Sequence, residues 1–262
     1  MNPLRLALAM AGPFDGKIAI VAGVGPGVGT AVACLLAHGG ATVVAVARSA
    51  TALDPLAIHA RARGWSLETR SLDSSDVGSV DALVRSVVDE HQRLDALALN
   101  VGRWVPGEGL LHRMSKEEWD GAVDGNLAAI YAVGHAALPS MVAQRSGSVV
   151  LVAAAPAVRL AGSAAYAAAK AGVVELAFKL GHDYRALGVR VNAVLPGSMG
   201  HDLGSLDPPA ASGPIPLADT TRTSPWEVAR AIAFLLSDES RWITGTTVTI
   251  DGGESTGGAP PG

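Results

Sequence analysis

The sequence predicts an α/β fold: one doubly wound domain whose seven-stranded parallel sheet has helices on both faces. Seven short apolar or β-branched runs alternate with helix-length amphipathic or alanine-rich segments. Most runs are apolar throughout, as is typical of parallel strands covered on both faces. No repeat or interdomain linker interrupts the alternation. The predicted strands are 17–23, 41–47, 67–72, 95–100, 147–153, 189–195 and 246–251.

The composition indicates a close-packed α/β chain rather than a disordered or nucleic-acid-binding one. Of 262 residues, 49% are hydrophobic and 17% charged, and the net charge of -4 gives no electrostatic reason to expect nucleic acid. No apolar run reaches the roughly 18 residues of a membrane span. The single cysteine, Cys34, excludes an internal disulfide and fits a small buried side chain in a reducing cytoplasm. Seven scattered histidines lack ligand spacing, so we predict no metal site.

The domain is predicted to cover residues 14–253. We interpret residues 1–13 as an N-terminal extension, although their short apolar run leaves secretion as an alternative to the cytoplasm. The stretch 198–224 is rich in Pro, Gly, Ser and Asp and is long for a connection, which indicates a substrate lid. The tail 254–262 is expected to be disordered.

A glycine-rich loop, AGVGPGVGT, follows the first strand. Gly23, Gly27 and Gly29 give the spacing G-x-x-x-G-x-G, and Val28 lies between the last two. Glycines let the backbone approach a pyrophosphate, and the following helix directs its N–H groups and positive dipole end toward it. An ordinary glycine-rich turn is the alternative. The β-α-β context favours dinucleotide binding.

The end of the second strand bears on which dinucleotide is bound. NAD enzymes usually carry an acidic residue about 20 residues past the loop. Here that place is Ala47, followed by Arg48 and Ser49. A missing carboxylate removes repulsion against a 2′-phosphate, and an arginine can bind that group with forked donors. We therefore favour NADP(H) over NAD(H), with a solvated surface arginine as the alternative.

Further motifs, in order and at the right separations, resemble those of a classical short-chain dehydrogenase/reductase over about 14–253. The resemblance implies a Rossmann-type fold and an NAD(P)-dependent enzyme. It assigns Leu72 and Asp73 as an adenine-contacting pair, and Asn100, Val101 and Gly102 as the turn after strand four. It places Pro196, Gly197 and Met199 under the nicotinamide, with Met199 in contact with the carboxamide.

Tyr166 and Lys170 form a Tyr-x-x-x-Lys motif, which places both side chains on one helix face. A nearby ammonium favours phenolate, so we expect Lys170 to lower the tyrosine pKa from its usual value near 10. The resemblance implies that Tyr166 exchanges a proton with substrate and that Lys170 binds the nicotinamide ribose. It also implies that Asn126 holds a water in the proton relay.

The family's catalytic serine is absent, because the position thirteen residues before the tyrosine is Ala153. Ala154 and Ala155 offer no hydroxyl, and Ser148 and Ser163 lie elsewhere. Loss of one such donor typically costs on the order of 10²–10³ in rate. Dihydropteridine reductases resemble this pattern, which supplies a precedent but not a substrate. A decayed, a serine-independent and an engineered oxidoreductase all stay open at this point.

The predicted function is hydride transfer between a nicotinamide cofactor and a small ketone or alcohol, or a 3-oxoacyl-type substrate. We expect Ala153, Trp104, Arg159 and His201 to face the substrate, with a packing role as the alternative for Trp104. A cofactor-binding homologue with weak or no catalysis is the second hypothesis, and a structural protein without cofactor the third. The resemblance implies a homotetramer or homodimer built on the helices flanking strand five.

Overall fold

A seven-stranded sheet forms the centre of the molecule in the computed structural model, which describes residues 12–104, 110–200, 202–210 and 222–256. All strand pairs are parallel and their order is β3-β2-β1-β4-β5-β6-β7. This confirms the predicted doubly wound sheet. The strands are β1 (Ile18–Ala22), β2 (Thr42–Ala47), β3 (Leu67–Ser71), β4 (Ala96–Leu99), β5 (Gly147–Val152), β6 (Val189–Pro196) and β7 (Thr247–Ile250).

Helices connect the strands and cover both faces of the sheet. The α-helices are α1 (Val28–His38), α2 (Ala50–Arg63), α3 (Val77–His91), α4 (Lys116–Ala143), α5 (Pro156–Ala161), α6 (Ala164–Tyr184) and α7 (Pro225–Leu236). Short 3-10 helices cover Leu111–Arg113, Arg185–Leu187, Asp238–Ser240 and Glu254–Thr256.

The core is divided in two by the sheet, because successive side chains of a strand point to opposite faces. In β1, Ile18 and Ile20 pack into one core, which α3, α4 and α6 cover. Ala19 and Val21 pack into the other, which α1, α2 and α7 cover. Burial on both faces explains why most strands are apolar, whereas the edge strands β3 and β7 are partly exposed and carry polar side chains.

The longest helix, α4, is the one helix in the described ranges that is long and apolar enough to cross a membrane by length and composition. A capping box starts it: Ser115 Oγ accepts from Glu118 N at 3.1 Å, and Glu118 Oε2 accepts from Ser115 N at 2.8 Å. Ile130 and Met141 of this helix lie in the first core. Packing against α3, α6 and the sheet therefore accounts for its apolar character.

The sheet order creates a topological switch point between β1 and β4. The chain runs from β1 outward through β2 to β3 and then returns to β4 on the other side of β1. In open α/β sheets, ligands bind in the crevice outside the carboxyl ends of the strands at such a point. The predicted cofactor residues follow the ends of β1, β2, β3, β4 and β6, so they share this edge.

The end of the domain differs from the prediction. Residues 254–256 form a 3-10 helix, so the expectation of a disordered tail from 254 onward is wrong for these three residues. The Asp251 carboxylate accepts hydrogen bonds from Gly253 N and Ser255 N, each 2.9 Å long, and these bonds order the turn. The remaining tail, 257–262, and residues 1–11 of the predicted extension lie outside the described residues.

Candidate active site

The glycine loop has the conformation that its spacing predicts. Gly23 and Gly27 have φ angles of 87° and 104°, which side chains with a Cβ rarely adopt. A Cβ on Gly29 would lie 2.8 Å from Val24 Cα, so this position also excludes a side chain. Thr30 Oγ1 donates to Gly25 O at 2.9 Å and ties the loop to the first turn of α1.

The start of α1 fits a pyrophosphate. Gly27 at the N-cap supplies no side-chain hydrogen bond, and the first turn, which includes the predicted Val28, carries no acidic residue. The free N–H groups and the positive end of the helix dipole are therefore left for an anion. From β4, Asn100 Nδ2 donates to Gly23 O at 2.9 Å, and Val101 N would lie 2.9 Å from a Cβ on Gly23. The predicted loop residues thus meet across the switch point.

The ends of β2 and β3 present Arg48 and Asp73 to solvent side by side. Arg48 and Ser49 are exposed, and Arg48 makes no salt bridge within the part of the chain that the structure describes. Hydrogen bonds from Ser75 lower the pKa of Asp73, and the charge of Arg48 adds to that effect. Leu72 packs, half-buried, against the first core. An unpaired guanidinium at the end of β2 is available to a phosphate.

Tyr166 lies in the first turn of α6 and is only 6% exposed. Its backbone N–H donates to Ser163 Oγ, the helix cap, at 3.2 Å. The ring packs against Gly162, where a Cβ would lie 2.5 Å from Cδ1, and against Trp104 edge to face with centroids 4.8 Å apart. Burial raises the pKa of Tyr166 to about 12. The predicted lowering by Lys170 is therefore wrong for this structure, since desolvation dominates.

Lys170 lies one turn further along α6 and is 5% exposed. Its Nζ donates to Val152 O, the last carbonyl of β5, at 3.0 Å. Burial lowers the pKa of Lys170 to about 8. A Cβ on Gly102 would lie 2.7 Å from Lys170 Nζ and 2.8 Å from Asn126 Oδ1. Three predicted site residues, from the loop after β4, from α4 and from α6, therefore converge on one point beside Tyr166.

Asn126 is fully buried on α4 and its amide is engaged with backbone. Oδ1 accepts from Arg103 N at 3.3 Å, while Nδ2 donates to Arg103 O at 3.1 Å and to Ala122 O at 2.8 Å. This pairing holds the segment after β4 and, with it, Trp104. The residue thus has a positioning role that the sequence did not predict, and its water-holding role stays a prediction.

Known proteins share this arrangement over almost the whole chain. A family model described as Enoyl-(Acyl carrier protein) reductase matches residues 23–255. The 3-oxoacyl-(acyl-carrier-protein) reductase FabG of Thermotoga maritima is 34% identical over 245 residues, covering 92% of this chain and 98% of its own. The protein of the same name from Escherichia coli is 32% identical over 243 residues, with equal coverage. The chain belongs to the short-chain dehydrogenase/reductase family.

A solved structure supports the same assignment. A Burkholderia xenovorans crystal structure, described as that of a short-chain dehydrogenase/reductase, matches with a TM-score of 0.83 at 31% identity. The match covers 95% of this chain and 100% of that one. This family member is accordingly an NAD(P)-dependent oxidoreductase.

Ala153, which we predict to stand at the position of the family's catalytic serine, directly follows β5. It is 5% exposed, packs into the first core, and its N–H donates to Val194 O at 2.9 Å. The two nearby serines serve the fold: Ser148 Oγ donates to Leu235 O at 2.8 Å, and Ser163 caps α6. Neither hydroxyl replaces the missing one.

The segment predicted to lie under the nicotinamide leaves the end of β6. Pro196 and Gly197 are buried, and Gly197 N donates to Ile250 O of β7 at 2.9 Å. Met199 packs against the second core and forms a β-bridge with Thr223. These contacts place the segment at the same edge as the glycine loop.

Part of the predicted lid is anchored to helices of the second core. Trp226 Nε1 donates to Leu203 O at 3.2 Å. The carboxylate of Asp207 pairs with His59 at 3.0 Å and with Arg63, both on α2. His201 and residues 211–221 of the lid lie outside the described residues. Arg159 is half-buried on α5, and its contact with substrate stays a prediction.

Metal ligands and reactive thiols are not a feature of the described site. Across residues 12–104, 110–200, 202–210 and 222–256, no group of three or more His, Cys, Asp or Glu side chains could hold a metal ion. Cys34 is fully buried on α1, and burial raises the pKa of its thiol to about 12. This thiol therefore packs as a small apolar group.

Sequence reasoning missed several residues that shape the site. Thr30 closes the glycine loop, and Glu254 and Ser255 contact segments beside the predicted nicotinamide position. The Gly252-Gly253 pair, with φ angles of 62° and 93°, is a turn signal that could have indicated order there. No local signal marks the partners of Glu254, because they lie far away in the sequence.

Proposed function

We propose that this oxidoreductase transfers hydride between NADP(H) and the keto group of a 3-oxoacyl-type or other small ketone substrate, with Tyr166 as the proton donor. One observation carries the proposal: Lys170, Gly102 and Asn126 converge beside Tyr166 at the cofactor edge of the sheet. The curated relatives, named 3-oxoacyl-(acyl-carrier-protein) reductases, support the substrate class.

The bound nicotinamide supplies the hydride. The raised pKa of Tyr166, about 12, keeps its phenol protonated near neutral pH, as a donor to a developing alkoxide must be. Lys170, whose pKa is about 8, is mostly an ammonium under the same conditions. That charge stabilises the phenolate left behind after proton transfer. Burial by itself makes the Tyr166 phenol a weaker acid, so the proposal depends on the Lys170 ammonium to stabilise the phenolate in the transition state.

Ala153 bears on how fast this chemistry runs. Without a hydroxyl at this position, Tyr166 is the one donor to the substrate oxygen that we assign among the described residues, and loss of one donor typically costs on the order of 10²–10³ in rate. The same observation favours a second candidate, a protein that binds NADPH but catalyses weakly or not at all. Both candidates predict cofactor binding, and they differ in turnover.

The test is NADPH oxidation with short 3-oxoacyl thioesters and a panel of small ketones. We expect turnover by the natural chain, a loss of at least about 10² in Tyr166→Phe, and NADPH binding retained in both. Absence of turnover in the natural chain, with tight NADPH binding by calorimetry, would support the second candidate. Ala153→Ser then separates a decayed oxidoreductase, which gains rate, from one whose substrate never needed the serine.

Arg48 supports the preference for NADP(H). Its guanidinium stands at the end of β2, and the carboxylate expected of an NAD enzyme is replaced by Ala47. An anionic 2′-phosphate would meet an unpaired donor there instead of a repelling charge. We propose NADP(H) as the physiological cofactor on this basis.

We further propose a cytoplasmic homotetramer or homodimer. The helices α4 and α6 carry large exposed apolar groups, with Tyr131 62% and Phe178 44% exposed. Pairing such faces between copies would remove that surface from water. Light scattering of the natural chain and of Tyr131→Glu tests this proposal. The glutamate charge should dissociate the assembly and lower its measured mass. An unchanged mass would show that the interface does not include Tyr131.

A further inference from the structure

We infer that the C-terminal turn, residues 251–256, is a clamp that holds together the two backbone segments flanking the substrate position, with Glu254 as its main positioning residue. These segments are the one under the nicotinamide, which follows β6, and α5, which follows β5. The inference rests on the proposed function for its kinetic part only.

Glu254 binds the first segment through both carboxylate oxygens. Oε2 accepts from Ser198 N at 3.1 Å and Oε1 accepts from Ser198 Oγ at 3.0 Å. The carbonyl of Ser198 accepts from Thr223 N at 2.7 Å. All the hydrogen-bonding groups of Ser198 are thereby engaged, and the next residue is Met199, predicted to contact the carboxamide. Glu254 therefore sets the backbone path at the nicotinamide position.

Close packing adds to these hydrogen bonds. A Cβ on Gly197 would lie 2.7 Å from Asp251 Cβ and 3.0 Å from Glu254 Oε2. The turn and the nicotinamide segment thus touch with no room for a side chain between them. The glycine at this position is explained by that approach as well as by any contact with a cofactor.

Ser255 binds the second segment. Its Oγ accepts from Ala157 N at 3.2 Å, in the first turn of α5, where backbone N–H groups have no partner within the helix. Just before this turn, Ala155 N donates to Pro196 O at 2.8 Å. One short turn therefore fixes the exit of β5, next to Ala153, relative to the exit of β6.

The clamp has a direct consequence for the proposed proton donor, Tyr166. Tyr166 can act only on a carbonyl that is held within hydrogen-bond reach, and misplacement by about 1 Å can cost on the order of 10² in rate. Glu254 is exposed, so water competes for its hydrogen bonds to Ser198. We therefore expect its removal to lower kcat about tenfold rather than to abolish activity.

The experiment compares Glu254→Ala, Glu254→Gln and a matched control, Glu239→Ala. Glu239 is an exposed glutamate whose carboxylate makes no ion pair among the described residues. Steady-state kcat and KM are measured with NADPH and one 3-oxoacyl thioester, NADPH affinity by fluorescence, and amide hydrogen exchange by mass spectrometry. Exchange in peptides covering 156–161 and 196–200 reports the clamp without any turnover.

We expect Glu254→Ala to lower kcat about tenfold, to change NADPH affinity less than threefold, and to speed exchange in both peptides. The glutamine variant keeps one acceptor oxygen and should recover most of the rate, while Glu239→Ala should match the natural chain. Natural exchange in Glu254→Ala overturns the clamp, whereas accelerated exchange with natural kcat overturns its role in positioning the substrate. If the natural chain turns over no substrate, the proposed function fails, and exchange alone decides whether the clamp exists.

Discussion

Gly102→Ala would place one methyl group where three site residues converge. Its Cβ would lie 2.7 Å from Lys170 Nζ and 2.8 Å from Asn126 Oδ1. An ordinary contact between such atoms is roughly 3.5 Å, so each neighbour would have to yield by roughly 0.7 Å.

Neither neighbour can yield freely. Lys170 is buried and its Nζ is bonded to Val152 O, while Asn126 is fully buried and makes three hydrogen bonds to backbone. Overpacking of this kind typically costs about 1–3 kcal/mol in the free energy of unfolding. Displacement of Lys170 beside Tyr166 should also lower kcat/KM on the order of 10².

Urea unfolding and steady-state kinetics measure these two effects, with Gly134→Ala as the control. Gly134 lies inside α4, and a Cβ there would meet nothing within 4 Å. This control should gain about 0.5–1 kcal/mol, because alanine replaces glycine in a helix interior, and should keep its activity. If Gly102→Ala has the stability and activity of the natural chain, the convergence of these three residues is refuted. If the variant loses stability but keeps the natural kcat, the convergence contributes to packing and not to catalysis.

Three further predictions concern the cofactor edge and the pH dependence of stability. Gly29→Ala should lose about 1–3 kcal/mol in urea unfolding, whereas Gly25→Ala, whose Cβ would meet nothing within 4 Å, should change it by less than about 0.5 kcal/mol. The Lys170 pKa, about 8 in the folded protein against 10.5 unfolded, means that the unfolded state binds more protons between these values. The free energy of unfolding should therefore rise from pH 8 toward 10. Above pH 10 it should fall, because a tyrosine ionises near pH 10 in the unfolded chain but only near 12 at Tyr166 in the folded protein. A Lys170→Met variant that keeps the rise would contradict this. Arg48→Ala should weaken NADPH binding at least tenfold and leave NADH binding unchanged by calorimetry, and equal losses for both would argue against a 2′-phosphate contact.

The sequence by itself determined the architecture and the glycines of the loop after β1. Most of the strands are buried on both faces and apolar, while the edge strands β3 and β7 are partly exposed and more polar. All seven predicted strands nevertheless end within one residue of their observed ends. The glycine spacing likewise selected Gly23, Gly27 and Gly29, because positive φ angles and close backbone contacts exclude other residues there. Both features depend on residues close together in the sequence, so a local sequence pattern can predict them.

Tertiary structure alone decided the electrostatics and the supports of the site. The pKa of Tyr166 rises instead of falling, because desolvation depends on what packs around the ring, including Trp104. Glu254 joins the site through Ser198, 56 residues away, and Ser255 through Ala157, 98 residues away. No periodicity or spacing in the sequence predicts these partners, because only folding of the whole sheet brings them together.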